Sequence, residues 1–239
     1  MATSGVAFRP EEPNVARMYD YMLGGKDNFP ADREAARRTF DVLGEDVVRG
    51  TVQQNRRFLG RAVRHLAREA GIRQFLDIGT GLPTMGNVHE VARAQAPGSR
   101  VVYVDNDPVV ISHAGYTLHG VEGTAIVGRD LRDPGGIIGD TRVRSVLSFD
   151  RPIAVLLVAI LHFVADADDP AGLGGDTGHF DVAPQLASVL LEQSGKVVGE
   201  GADASFDLGH GGPGRGGQRE GQAQRAAFGV GAAVGRVDR

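Results

Sequence analysis

Apolar positions recur along this chain in two rhythms. Up to about residue 70 they follow a helical period. Val15, Met18, Tyr19 and Met22 stand at i, i+3, i+4 and i+7 behind Asn14, a residue suited to capping a helix N-terminus, and Gly24-Gly25 closes the pattern. Pro30 marks a second start, so Ala31–Leu43 reads as the next helix. Val52, Asn55, Phe58, Leu59, Ala62, Val63, Leu66 and Ala67 form one face of a third helix, which Gly71 stops. Residues 1–13 read as a loose, Pro-containing arm.

The rhythm then shortens. Gln74–Ile78, Arg100–Asp105, Thr124–Val127 and Ile153–Ile160 are short apolar runs with strand character. Helical stretches at Asn87–Ala96, Pro108–His119 and 134–148 separate them. A continuous run such as Ile153–Ile160 marks a strand buried on both faces. Strands alternating with helices predict a parallel sheet with crossover helices, hence an α/β fold behind a helical cap. The expected organisation is a cap at 1–70, a core at 71–173 and a tail at 174–239.

Beyond Leu173 the regularity fails. Val182, Leu186, Val189 and Leu190 space as one amphipathic helix, and Gly209–Gly221 is low-complexity and expected to be disordered. No convincing pair of strands follows, so the sheet is expected to end at Ile153–Ile160 with its C-terminal strands missing. Composition sharpens this boundary. The chain holds 35 Gly in 239 residues, but 17 of them fall in 171–239. Gly, Arg, Ala and Gln are what an alternative frame of a GC-rich gene spells, so a change of reading frame near Leu173 is the expectation, with a natural Gly-rich tail on a shortened domain as the alternative. A sheet truncated there predicts weak turnover or none.

Other classes fall away on composition. There is no Cys, which excludes a disulfide scaffold, a Cys-ligated zinc site and a thiol nucleophile. The longest apolar run, Ile153–Leu161, is far shorter than the roughly 20 residues a membrane span needs. Met1–Pro10 lacks a basic-then-apolar leader pattern. These readings predict a soluble, cytoplasmic protein with no membrane partner. The net charge of −4 is neutral about partners, and no basic tail or patch argues for nucleic acid, so none is expected.

The candidate chemistry centres on Phe75-Leu76-Asp77-Ile78-Gly79-Thr80-Gly81, a strand running into a Gly-rich turn. Glycines there let backbone approach a ligand closely, although an ordinary strand-to-helix turn explains the glycines alone. Asp77 precedes the glycines, Asp105 ends the second strand and Asp130 follows the third. Each alone reads as a loop or capping residue, and Asp107-Pro108 reads as N-cap and first helical residue. Together, at the C-terminal ends of successive strands, the three carboxylates mark the crevice where open α/β sheets bind ligands, here a nucleoside-containing one.

These residues resemble the S-adenosylmethionine (SAM) site of class I methyltransferases. Asn14–Phe29, with its GGKDNF run, is similar to the signature of a bacterial S-adenosyl methyltransferase family, as are Asn55–Leu59, Asp77–Thr84 and Leu161-His162-Phe163-Val164. The resemblance spans roughly residues 10–173 and implies a SAM-bound Rossmann-like class I methyltransferase sheet with a helical N-terminal cap. It implies that Asp77, Gly79, Thr80 and Gly81 bracket the amino-acid part of SAM, that Asp105 holds the ribose, and that Asn106, Asp130 and Leu131 edge the adenine. Pro83 stands where a further glycine is usual.

Four residues are substrate-side candidates: Tyr21, Lys26, Asn28 and His162. Lys26 is the only lysine among the first 170 residues, and it divides evenly between turn chemistry and a pocket wall. His162 suits a proton acceptor or a packed core histidine. Tyr19 reads mainly as packing. No catalytic residue is assigned, because SAM chemistry needs alignment more than a dedicated base. The expected function is methyl transfer to a small-molecule acceptor. A non-catalytic SAM-binding protein and an NAD-dependent oxidoreductase are the alternatives.

Overall fold

The computed structural model describes residues 8–83, 86–160, 181–182 and 232–236. Helices α1 (Val15–Met22), α2 (Pro30–Leu43) and α3 (Glu45–Arg68) come first. Then follow β1 (Gln74–Ile78), α4 (Val88–Gln95), β2 (Arg100–Asp105), α5 (Pro108–Thr117), β3 (Thr124–Gly128), α6 (Pro134–Gly139), α7 (Thr141–Val146) and β4 (Ala154–Val158). Two short strands, β5 (Asp181–Val182) and β6 (Ala232–Arg236), come last. The strand order is β3-β2-β1-β4-β6-β5. The first four are parallel, with Asp77 in register with Tyr103 and with Leu156 on its two neighbours.

The sheet therefore does not stop at β4. β6 lies antiparallel beside it, with Leu156 opposite Val234, and β5 pairs on β6's far edge. An unpaired β4 would expose a row of backbone donors and acceptors along an apolar strand. Ala232-Ala233-Val234-Gly235-Arg236 is too short and Gly-broken to announce itself as a strand; pairing with β4 supplies what its own propensity lacks. Val182 belongs to β5 rather than to the expected helix. The rest of that helix, Gly209–Gly221 and the expected frame change near Leu173 lie outside the described residues.

Local chemistry sets the boundaries. Asn14 Oδ1 accepts from the Ala16 and Arg17 N–H groups and caps α1. Asp107 Oδ1 does the same for Val109 and Val110 at α5. α3 starts seven residues before the expected Val52, because Glu45 and Asp46 favour a helix N-terminus electrostatically without leaving an apolar signal. Its buried face holds all eight expected residues and adds Val48.

α3 serves two cores. Its first half packs Val48 and Val52 with Met22, Ala36 and Phe40 in the cap. Its second half packs Leu59, Val63, Leu66 and Ala67 against Phe75, Val101 and Leu156 on one sheet face. Leu76, Val102, Val104 and Val155 point to the opposite face, where Ile137 and Val143 of α6 and α7 cover them. Alternation along each strand thus feeds two layers at once.

A buried guanidinium joins cap to sheet. Arg17 on α1 is only 3% exposed. Its Nη1 lies 3.6 Å from Asp32 of α2, and its Nε lies 3.6 Å from Asp107 at the start of α5. Nη2 donates to the Glu12 carbonyl at 3.0 Å, and the Phe29 ring sits 5.3 Å from the guanidinium carbon. Nε and Nη1 have no partner at hydrogen-bond distance, so Coulomb attraction to the two carboxylates carries the contact. Arg17→Met leaves two buried carboxylates without their counter-charge. We expect it to lower unfolding free energy by about 3 kcal/mol, read as an earlier midpoint in urea.

Candidate functional site

The C-terminal ends of β1, β2 and β3 open into a cleft of about 390 Å³ roofed by α1 and α3. Its floor is the turn after β1. Gly79 and Thr80 donate their N–H groups to the Val104 carbonyl, at 2.9 and 3.2 Å, which folds the turn back across β2. Gly79 has φ +72°, and a Cβ there would stand 2.7 Å from Ile160 Cγ1. Gly81 has φ +66° and open space around it, so its backbone alone requires glycine. Ala159, on the facing rim at the end of β4, has φ 56°, unusual for a residue with a side chain.

Three carboxylates line this cleft in different electrostatic states. Asp77 is buried, and the loss of water pushes its carboxyl up to about 6 despite a hydrogen bond from Thr80 and the nearby positive charge of Arg56. Asp105 uses both oxygens on backbone: Oδ2 accepts from Gly81 at 2.9 Å and Oδ1 from Asp107 at 3.0 Å. Burial raises its pKa, while those same N–H groups oppose the rise. Asp130 is held by Arg132, with 2.9 Å from Nε and 2.7 Å from Nη2, and by Asn106 Nδ2 at 3.2 Å. The Arg132 hydrogen bonds draw its pKa down to about 2. Leu131 supplies an apolar edge beside it.

All eight residues expected on the cofactor side, Asp77, Gly79, Thr80, Gly81, Asp105, Asn106, Asp130 and Leu131, therefore meet in one cleft. Three of the four substrate-side candidates, Tyr21, Lys26 and Asn28, do not line this cleft. Tyr21 stacks on Phe40 with ring centroids 6.1 Å apart, in the cap core. Lys26 is exposed on the turn after α1 and does not line the cleft. Asn28 is buried in that turn: its Nδ2 donates to Asp20 Oδ2 at 2.8 Å and to the Gly25 carbonyl at 3.1 Å. Gly25 packs so tightly on Asp20 that a Cβ would overlap its carboxylate. The GGKDNF turn folds on its own polar groups, with Asp27 N–H and Asn28 Nδ2 both donating to Asp20 Oδ2. His162 lies outside the described residues.

The roof of the cleft was not among the expected site residues. Asn55 and Arg56 on α3, and Tyr19 on α1, line the cleft. Tyr19 donates its hydroxyl to the Val52 carbonyl at 3.0 Å, and burial raises its pKa. Asn55 is 5% exposed, and its Oδ1 is buried without a hydrogen-bond partner. Such a group costs about 1–3 kcal/mol in the ligand-free protein. Its signal was present in the sequence: a polar residue in an otherwise apolar helix face.

The S-adenosyl methyltransferase family model matches residues 3–185 of the chain. The chain belongs to the S-adenosyl methyltransferase family. Solved structures agree. A DUF574-family protein from Streptomyces avermitilis MA-4680 is 33% identical, with a TM-score of 0.67 over 95% of this chain and 98% of that one. A candidate methyltransferase from Thermobifida fusca YX is 32% identical, with a TM-score of 0.67 over 96% of each chain. Comparison with curated protein sequences gives no match. The family's chemistry is methyl transfer, its cofactor is S-adenosylmethionine, and the fold is the expected Rossmann-like α/β sheet. Among the described residues no helix is long and apolar enough to cross a membrane.

Asp77 gives this family member a testable pH signature. Its folded pKa of about 6 lies above the ordinary carboxylate value, so its contribution to stability is complete below about pH 4 and lost as pH rises through 6. Asp77→Asn removes that penalty. We expect the ligand-free variant to be more stable than the parent by about 2–3 kcal/mol at pH 8 and by little at pH 4, measured by urea unfolding at both values.

Proposed function

We propose that this chain transfers a methyl group from SAM to a small-molecule acceptor. The observation that carries the reading is the meeting of Asp77, Asp105 and Asp130 in one cleft at the ends of β1, β2 and β3. Two features fit the cofactor independently of the family match. The glycine turn leaves an opening that side chains would fill, and the unpartnered Asn55 Oδ1 awaits a donor.

In this reading Asp77, Gly79, Thr80 and Gly81 surround the amino-acid tail. Asp105 has lone pairs left after its two backbone bonds, and these accept from ribose hydroxyls. Asp130 stays ionised, so it is an acceptor for the adenine amino group, with Asn106 and Leu131 along the ring edge. When bound, SAM supplies a sulfonium whose methyl group is already activated toward nucleophiles. The protein's part is orientation and exclusion of water. Tyr19 is a poor base here, because its proton is engaged by Val52. The lack of a basic patch in the sequence, at a net charge of −4, supports a small acceptor over nucleic acid.

Calorimetric titration tests the reading. The folded chain is expected to bind SAM and not NAD, and Asp105→Ala to weaken SAM by at least about tenfold. A folded chain that binds NAD instead, or neither ligand, overturns it. SAM binding without turnover over a panel of small nucleophiles would favour a purely binding role.

A further inference from the structure

Asn55 sits on α3, a cap helix, yet its side chain lines the cleft against the end of β1. Its neighbours define what it can do. The Tyr19 hydroxyl gives its hydrogen to Val52 at 3.0 Å, so its oxygen is left to accept. Asn55 and Tyr19 share a side-chain hydrogen bond, and because Oδ1 has no hydrogen-bond partner the amide N–H₂ is the end facing Tyr19. The amide is therefore oriented by the protein, and Oδ1 is the end left over. That oxygen is more than nine-tenths buried with its residue and has no partner. Asn55 is an acceptor set in place for a donor the protein itself does not supply.

The charges nearby specify the donor. Arg56, the next residue on α3, acts electrostatically on both Asp77 and Tyr19, so the cap face and the end of β1 share one electrostatic pocket. Asp77 is a buried carboxylate in the same cleft. A neutral hydroxyl would satisfy Asn55 but bring no positive charge to Asp77, which stays raised despite Thr80 and Arg56. A primary ammonium satisfies both, having several N–H donors and a positive charge. Resting on the SAM reading above, we propose that Asn55 Oδ1 is the cap's ligand for the α-ammonium of the cofactor's amino-acid tail, shared with Asp77 across the cleft. The cap thus reads the zwitterionic end of the cofactor, while the sheet reads the nucleoside.

The test separates the ammonium from the rest of the ligand. Affinities of S-adenosylhomocysteine and of its analogue lacking the α-amino group are measured by calorimetry on the full chain. Their ratio is the readout. In Asn55→Ala the ratio is expected to fall by about tenfold, through loss of the amino-bearing ligand alone. In Asn55→Asp it is expected to rise, since a carboxylate keeps the acceptor and adds attraction. An unchanged ratio in either folded variant overturns the proposal. Should Asn55→Ala fail to fold, the near-isosteric Asn55→Asp decides alone: a ratio equal to or below the parent's overturns it. A folded parent chain that binds neither compound overturns the cofactor reading as well, and is thereby distinguished from a failure of Asn55 alone.

Discussion

One buried guanidinium holds the two parts of this molecule in register. Arg17 stands between Asp32, which organises the cap, and Asp107, which starts α5 beneath the cleft. Both carboxylates have other duties. Asp32 accepts from the backbone N–H groups of Asn14 and Phe29 at 2.8 Å each, tying the start of α1 to the start of α2. Asp107 caps α5, and its own N–H reaches Asp105, whose other oxygen holds Gly81. A line of polar contacts therefore runs from the cap to the glycine turn. Charges taken out of water are costly, so this contact is tolerated for the geometry it fixes rather than for stability alone.

The cleft shows the same exchange of stability for readiness. Asp77 sits desolvated, Asn55 keeps an unmatched acceptor, and Ala159 holds a left-handed backbone. Each is unfavourable by itself, and each lines the same cleft. Asp130 is the contrast. It is neutralised by Arg132 on the surface and needs no ligand to be stable. The Asp77 end of the cleft is thus held in unfavourable local states, while the Asp130 end is already settled.

Much of this was legible in the chain because it is local. Gln74–Ile78 and Arg100–Asp105 are strands at the residues where the apolar runs begin and end. Asn14 and Asp107 cap the helices they precede. The three carboxylates were found because strand ends in a parallel sheet converge by topology. What escaped was long-range. An arginine on a short amphipathic helix reads as a solvated charge, and only the folded partners of Arg17 make it a core residue. The conspicuous lone Lys26 turned outward, while plain Asn28 went inward to hold the turn through Asp20. β6 escaped because its partner lies more than seventy residues away in sequence.

The Arg17 contact also has a consequence in time. Its partner Asp107 follows it by 90 residues (107 − 17). At roughly 5–20 residues per second, a ribosome takes about 5–18 s to cover that distance. Throughout that interval the cap helices exist without the sheet they rest on, and Arg17 remains hydrated. The cap can gather its own apolar cluster early, but its final seat is fixed only after β2 and the start of α5 have emerged. The order of synthesis makes the cleft, whose lining runs from Asn14 to Ile160, a late feature of the fold.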